Sequence, residues 1–140
     1  MTITLNGKRG LVMGVANERS IAWGIAKACA EAGAELAFTY QGAAFGKRLE
    51  PLAASIGSDF MVDVDVTDDA SLDAAFDALA QRWDRLDFVV HAIAYSDKSE
   101  LQGRILNTTR ANFKNSLDIS CYSFIDVARR AHPLMSEGGT

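Results

Sequence analysis

Small and polar residues separate a short apolar run from a predicted helix near the start of the chain. Gly14 follows the apolar residues Gly10–Met13, and Ser20 stands immediately before the helical pattern. Glycine permits a tight turn with no Cβ in the way, and the first backbone N–H groups of a helix attract phosphate. Ser20 could cap the helix or turn its hydroxyl and backbone N–H toward such a group. The loop predicts a pyrophosphate-binding turn, although an ordinary turn and helix cap would use the same residues.

Groups that could contact the other parts of a nucleotide stand where the next three apolar runs end. Gln41 is expected at the position that reads an adenosine ribose, and Asp65-Val66 where an adenine amino group needs an acceptor. Ile93 ends the fourth run, under the position of a nicotinamide ribose. Ligands of open parallel sheets lie beyond the carboxyl ends of the strands. Four strand ends along one rim therefore favour a dinucleotide over a set of ordinary polar strand termini.

These positions require a scaffold in which strands and helices alternate. The apolar runs predict strands at 8–15, 34–40, 60–66 and 86–94, and the helical patterns lie at 20–32, 43–56, 67–83 and 109–131. Such alternation is typical of an α/β protein with a doubly wound, Rossmann-type parallel sheet and helices on both faces. The crossovers between parallel strands are expected to be right-handed.

Several local features of the helices are also predicted. Pro51 should divide the second helix into two pieces, because it has no N–H to donate. Thr67 is expected to cap the third helix. The first helix is expected to bury a face of Ile21, Ile25, Ala28, Cys29 and Ala32. The third is expected to bury Leu72, Phe76, Leu79 and Trp83, which recur at three and four residues.

Composition restricts the class of protein. The 140 residues are 49% hydrophobic and 23% charged, which suits one globular domain. A net charge of −4 argues against nucleic acid as a partner. Cys29 and Cys121 form neither a disulfide framework nor a metal site at ligand spacing, so no metal is expected. Neither a signal peptide nor an apolar run of membrane-spanning length is visible, so we expect a cytoplasmic protein without membrane insertion.

The end of the sequence carries its own expectation. A turn follows the last helix, where the next parallel strand would normally begin, and four strands would leave the fourth as an open edge. We therefore expect 1–140 to be the N-terminal dinucleotide-binding part of a single Rossmann-type domain whose C-terminal remainder is absent. A natural four-stranded domain is the alternative.

The stretch GVANERSIAWGIAKACAEAGAELAFTYQ, residues 14–41, resembles the opening of the bacterial NADH-dependent enoyl-(acyl-carrier-protein) reductases. These enzymes form a branch of the short-chain dehydrogenase/reductase superfamily. Their loop of Gly, five residues, Ser-Ile-Ala, one residue and Gly corresponds to Gly14, Ser20-Ile21-Ala22 and Gly24. The likeness continues through the third and fourth strands into the long helix.

The resemblance implies a set of site residues. The cofactor-binding positions are Gly14, Ser20, Ile21, Gln41, Asp65, Val66 and Ile93. Ser96 lies where the family backbone approaches the substrate, and His91 is interpreted as a buried histidine without a catalytic role. The family's Tyr-x(6)-Tyr-x(6)-Lys set follows a fifth strand, so the catalytic Tyr and Lys are expected beyond Thr140 and none lies in this chain.

The resemblance also implies a function. The family uses NADH to reduce the trans-2 double bond of an enoyl thioester on acyl carrier protein, during fatty acid elongation, and is usually a homotetramer. The 140 residues alone are expected to be inactive. Gln41 neither attracts nor repels a 2′-phosphate strongly. The resemblance favours NADH as the cofactor. Lys47 and Arg48 could weaken the discrimination between NADH and NADPH.

Three rival interpretations remain open. Another short-chain dehydrogenase would usually carry a Gly-x(3)-Gly-x-Gly loop and Asn-Asn-Ala-Gly after the fourth strand, and this sequence has neither. A receiver-like signalling domain would need an acidic pair just after the first strand, where this chain has Gly14-Val15-Ala16. A nucleotide-binding module without catalysis would fit the same residues.

Overall fold

The computed structural model describes residues 2–140 as a parallel four-stranded sheet between two layers of helices. The strands are β1 (Arg9–Met13), β2 (Glu35–Tyr40), β3 (Met61–Asp63) and β4 (Phe88–His91). The helices are α1 (Ile21–Glu31), α2 (Ala43–Ser55), α3 (Asp69–Arg82), α4 (Arg110–Leu117) and α5 (Ser123–Ala131). The strand order is β3-β2-β1-β4, and every neighbouring pair is parallel. The predicted α/β doubly wound fold is confirmed, with strands shorter than the predicted ranges.

The central strand β1 sends its side chains alternately to two apolar cores. Val12 lies among residues of α1 and α2 on one face of the sheet. Leu11 and Met13 lie among residues of α3 and α5 on the other. The predicted α3 face is confirmed, because Leu72, Phe76, Leu79 and Trp83 are all buried. The two cores hold β1 rigidly, and with it the loop that leaves its carboxyl end.

Helix α1 buries a different face from the predicted one. Ile21 is 80% exposed and Ile25 is 36% exposed, whereas Ala22, Trp23 and Ala26 are buried. The Trp23 ring packs against Phe38 of β2, with centroids 6.4 Å apart. A helix with apolar residues on several sides can choose between faces, and burying the indole with two small alanines removes more apolar area while letting the helix approach the sheet.

Helix α2 is one helix rather than the two predicted pieces. Pro51 lies inside it, and Gly46, Leu49 and Ala53 form its buried side. Pro51 and Lys47 are both exposed, so water can hydrate the Lys47 carbonyl that loses its usual donor. The prediction of a break was wrong because burial of the other face outweighs the lost hydrogen bond.

The residue that caps α3 is Asp68, not Thr67. The Asp68 carboxylate accepts from the backbone N–H of Ala70 at 3.0 Å. Thr67 instead donates its hydroxyl and its backbone N–H to the Asp65 carboxylate. Asp68 and Thr67 are both good capping residues. Because the Thr67 hydroxyl is hydrogen-bonded to Asp65, Asp68 caps the helix instead.

The predicted long helix exists, but it is not uniform. Thr109 caps α4 by accepting from the Asn112 N–H at 3.1 Å. A π-helical turn, Asp118–Tyr122, then joins α4 to α5. Such turns accommodate an extra residue and recur at functional sites. Residues that follow α5 run beside β4, and the Thr140 backbone bonds to Asp87 and Val89.

Within residues 2–140, the helices are all too short or too polar to cross a bilayer.

Candidate dinucleotide-binding cleft

A cleft of about 580 Å³ opens at the carboxyl ends of the strands. It lies where the loops after β1 and β4 leave the sheet toward opposite layers of helices. Five of the predicted site residues line it: Gly14, Gln41, Asp65, Val66 and Ile93. The switch point of an open α/β sheet is the usual ligand position for this fold. The structure therefore brings groups from all four strand ends to one cavity.

Gly14 lies in the cleft where the loops after β1 and β4 meet. Its φ is 106°, a left-handed conformation that favours glycine. A Cβ at this position would overlap the backbone carbonyl of Ala92, in the loop after β4. The missing side chain thus lets the loops after β1 and β4 touch.

The first turn of α1 offers free backbone donors. The N–H groups of Ile21 and Ala22 meet no acceptor among residues 2–140, while those of Trp23 and Gly24 bond to the Ser20 carbonyl. Free amides and the positive end of the helix dipole together suit a phosphate. Neither Ser20 nor Ile21 lines the cleft itself, and the Ile21 side chain points into solvent.

Ser20 stands at the N-cap position, but its side chain does not make the predicted cap. Its hydroxyl donates to the Asn17 carbonyl at 2.6 Å, and its backbone N–H donates to the same oxygen at 3.2 Å. Both donors are thus engaged within the turn itself. The reason is local, because the turn from Asn17 to Ser20 already satisfies both groups. A Cβ at Gly24 would meet open space, so the packing of α1 does not require a glycine there.

Asp65 supplies a fixed negative charge to the cleft. The Thr67 hydroxyl and then the Thr67 backbone N–H lower the pKa of Asp65 below its usual value, with a smaller contribution from the Gln41 side chain. Hydrogen bonds to the charged form stabilise it. Asp65 is thus ionised at neutral pH and remains an acceptor beside Gln41, the end of the cleft predicted to hold adenosine.

The opposite end of the cleft is built by β4 and the helices that follow it. Ile93 packs against the core beneath the cleft, and Asn115 of α4 and Ile119 of the π-helical turn close the wall. The Ser120 hydroxyl accepts from the Tyr95 N–H at 3.0 Å, which ties the loop after β4 to that turn. Asn115 and Ile119 were not predicted from the sequence, because no local pattern marks them.

Ser96 lies outside the cleft. Its hydroxyl oxygen accepts from the Asn112 side-chain amide at 3.0 Å, and it borders a separate shallow groove with Tyr95 and Phe113. The two spaces share Ala94 and Tyr95, so Ser96 is adjacent to the predicted nicotinamide end and not within it.

Across residues 2–140, His, Cys, Asp and Glu side chains form no cluster that could hold a metal ion. Cys29 is half-buried and Cys121 is exposed, and both are free thiols.

The chain is similar to a well-defined set of known proteins. An enoyl-(acyl-carrier-protein) reductase (NADH) 2 of Rhizobium meliloti is 62% identical over 136 residues, which are 97% of this chain and 51% of the relative. FabI from Candidatus Liberibacter asiaticus superposes with a TM-score of 0.93 at 55% identity, over 96% of this chain and 52% of that one. The enoyl-(acyl-carrier-protein) reductase of Anaplasma phagocytophilum, solved in complex with NAD, superposes with a TM-score of 0.94 at 51% identity. The match covers 99% of this chain and 54% of that one.

The chain thus spans about half the length of the relatives that it matches. The family model described as enoyl-(acyl carrier protein) reductase matches residues 14–140, the stretch that forms the cleft and most of the sheet. By this match, and by the agreement of fold and sequence, the chain belongs to the enoyl-(acyl carrier protein) reductase family.

Proposed function

We propose that this chain provides the cofactor-binding half of an NADH-dependent enoyl-(acyl-carrier-protein) reductase. The observation that carries the proposal is the single cleft formed by all four strand ends, with Gly14 against the Ala92 backbone at its centre. The relatives named for NADH, and the one solved with NAD, support the choice of cofactor. Residues 1–140 would form the N-terminal part of one Rossmann-type domain.

The residues present fit such a cofactor. Gly14 lines the cleft without a side chain, and the free amides of Ile21 and Ala22 suit a diphosphate, whose charge the helix dipole favours. Gln41 and the ionised Asp65 provide hydrogen-bonding groups for the adenosine end. Ser20, in this proposal, contributes through its position in the turn that presents the Ile21 and Ala22 amides.

Val66, beside Asp65, would give the cofactor an apolar contact at the adenosine end. Ile93 would do so at the other end of the cleft, where Asn115 and Ile119 would limit the access of water. When bound, the nicotinamide supplies the hydride for reduction of the substrate double bond. Ser96 would lie beside the path of the substrate, in the groove that adjoins this end.

The substrate proposed for the whole protein is an enoyl thioester carried on acyl carrier protein. A group that stabilises the developing enolate is needed for this reaction. The printed sequence contains no Tyr-x(6)-Tyr-x(6)-Lys set, so we expect no reductase activity from these 140 residues alone.

We also propose a homotetramer as the assembled form, in the cytoplasm and without nucleic acid. Large apolar side chains on α4 and α5 support an interface there, since exposed apolar patches commonly mark contacts. Phe113, Leu117, Phe124 and Ile125 are each about half exposed. The net charge of −4 favours neither nucleic acid nor an acidic membrane surface.

Calorimetric titration of the chain with NADH tests the proposal, with far-UV circular dichroism to establish that the chain is folded. We expect saturable binding of NADH and no reduction of a crotonyl thioester. A folded chain that binds Mg²⁺ but not NADH would favour the receiver interpretation instead. Turnover of the thioester by residues 1–140 would show that the catalytic part of the proposal is wrong.

A further inference from the structure

A carboxylate already accepts a hydrogen bond from the backbone N–H at the start of helix α2. Gly42 immediately follows Gln41 and precedes α2, with a φ of 80°. Its N–H donates to Oδ1 of Asp63 at 2.9 Å. Asp63 ends β3 and is paired in register with Tyr40 of β2. The acidic side chain therefore lies beside the end of β2, next to the residue predicted to read the adenosine ribose.

This position matters for a nucleotide that carries a phosphate on the ribose 2′-oxygen. Such a group has about two negative charges at neutral pH, and amides at a helix N-terminus are its natural donors. Here the Gly42 amide already donates to Asp63, and the Asp63 carboxylate carries a negative charge that would repel the phosphate. The ionised Asp65 adds a second negative charge at the same end of the cleft.

Basic residues on α2 act in the opposite direction. The Arg48 guanidinium lies 5.8 Å from the ring centroid of Phe45, and Phe45 lines the cleft. Lys47 is exposed on the same helix. These cations would attract a 2′-phosphate, and Gln41 is neutral and repels nothing. Discrimination against that phosphate would then require acidic side chains at this end of the cleft, and Asp63 is the one that bonds to Gly42.

We propose that Asp63 is a specificity-determining residue that disfavours 2′-phosphorylated dinucleotides, and so sets a preference for NADH over NADPH. This inference rests on the proposed function, because it assumes that the cleft binds a nicotinamide dinucleotide. Asp63 acts by holding the Gly42 amide and by repelling the extra phosphate, without itself lining the cleft.

Calorimetric dissociation constants for NADH and NADPH test the proposal in the wild-type chain and in three variants. Asp63→Asn keeps an oxygen that can accept from Gly42 but removes the charge, and Asp63→Ala removes both. Asp77→Asn is the matched control, since it changes net charge equally at an exposed position of α3, on the opposite face of the sheet. Circular dichroism establishes that each variant is folded.

We expect wild type to favour NADH. The ratio of the NADPH to the NADH dissociation constant should fall about tenfold in Asp63→Asn, further in Asp63→Ala, and by less than about twofold in Asp77→Asn. The gain should shrink at high salt, because the side chain is exposed. An unchanged ratio in both Asp63 variants, or a wild type that prefers NADPH, overturns the inference while leaving the proposed function intact. Failure of the folded wild type to bind either nucleotide overturns the proposed function, and the inference with it.

Discussion

The Nε2 atom of His91 lies 2.7 Å from the hydroxyl oxygen of Ser123. The hydroxyl donates its only proton to the Ile119 carbonyl at 2.6 Å, so it accepts from His91, and the imidazole proton must be on Nε2. His91 belongs to the edge strand β4, Ser123 begins α5, and Ile119 lines the cleft. One buried hydroxyl thus connects the sheet to the wall of the candidate site.

Loss of that hydroxyl should destabilise the fold. Ser123 is fully buried, and Ser123→Ala leaves the His91 donor and the Ile119 carbonyl without their partner. The free energy of unfolding should fall by about 1–3 kcal/mol, measured by urea denaturation. Ser55→Ala is the matched control, because its exposed hydroxyl makes the same kind of bond, to the Leu52 carbonyl at 2.6 Å. Equal effects of the two substitutions would contradict this account.

His91 should also make stability depend on pH. Burial lowers the pKa of His91 below its ordinary value of 6.5, so the unfolded chain binds the proton more readily than the folded one. Stability is therefore fully present above about pH 6.5 and is lost as the pH falls through the lowered pKa. Urea midpoints between pH 8 and pH 5 should show this loss in wild type, and a flatter profile in His91→Asn.

The carboxylates are not expected to interfere in that range. Asp65 and Asp87 have pKa values below their ordinary 3.8, so their contributions are lost only in more acidic solution. A profile that is equally steep in His91→Asn would assign the dependence to another group.

The contact between Gly14 and the Ala92 carbonyl predicts a third outcome. Gly14→Ala should lower the free energy of unfolding by at least about 2 kcal/mol and abolish NADH binding, because strain at positive φ adds to a steric clash. Gly57→Ala is the control, since Gly57 also has a positive φ (77°) but faces open space. It should lose about 1–2 kcal/mol, from the φ strain alone, and retain binding. Denaturation and calorimetric titration of both variants measure the difference.

The buried Asp126 links α5 to α3, the two helices on the face of the sheet opposite α1 and α2. The Asp126 side chain is 3% exposed and accepts from Arg130, whose guanidinium also reaches Asp73 of α3 at 2.7 Å. Asp126→Ala removes the buried acceptor of Arg129 and Arg130, while Arg130 keeps Asp73, so the substitution should cost about 1.5–3 kcal/mol, the range for hydrogen bonds to charged groups. Asp73 is exposed, and Asp73→Ala should cost less than about 1 kcal/mol. Urea denaturation that ranked the two in the reverse order would be inconsistent with this network.

Much of the fold follows from patterns within single elements. Alternating apolar runs and helical periodicities predicted the parallel sheet, and the stripe from Leu72 to Trp83 predicted the buried side of α3. Features that depend on competition between neighbours were predicted wrongly. Thr67 lost its capping role to Asp68 because Asp65 binds it, and α1 turned Trp23 inward instead of Ile21.

In the candidate site too, the residues that follow from local patterns were predicted, and those that depend on the tertiary fold were not. Gly14, Gln41 and Asp65 were predicted because the ends of parallel strands necessarily meet at one rim. Asn115 and Ile119 come from a helix that only the tertiary fold brings to that rim. The predicted cap by Ser20 was wrong, since a turn that closes on Asn17 leaves no trace in residue types alone.

The π-helical turn Asp118–Tyr122 absorbs one residue more than a regular helix would hold over the same length. Each residue of an α-helix rotates the next by about 100°. If the same residues were wound as a regular α-helix, α5 would be rotated by roughly that angle, and Val127 and Ala131 would leave the core they now share with α3. The widened turn therefore sets which side of α5 faces the sheet, and an insertion or deletion within α5 itself, where no such turn absorbs it, should be disruptive.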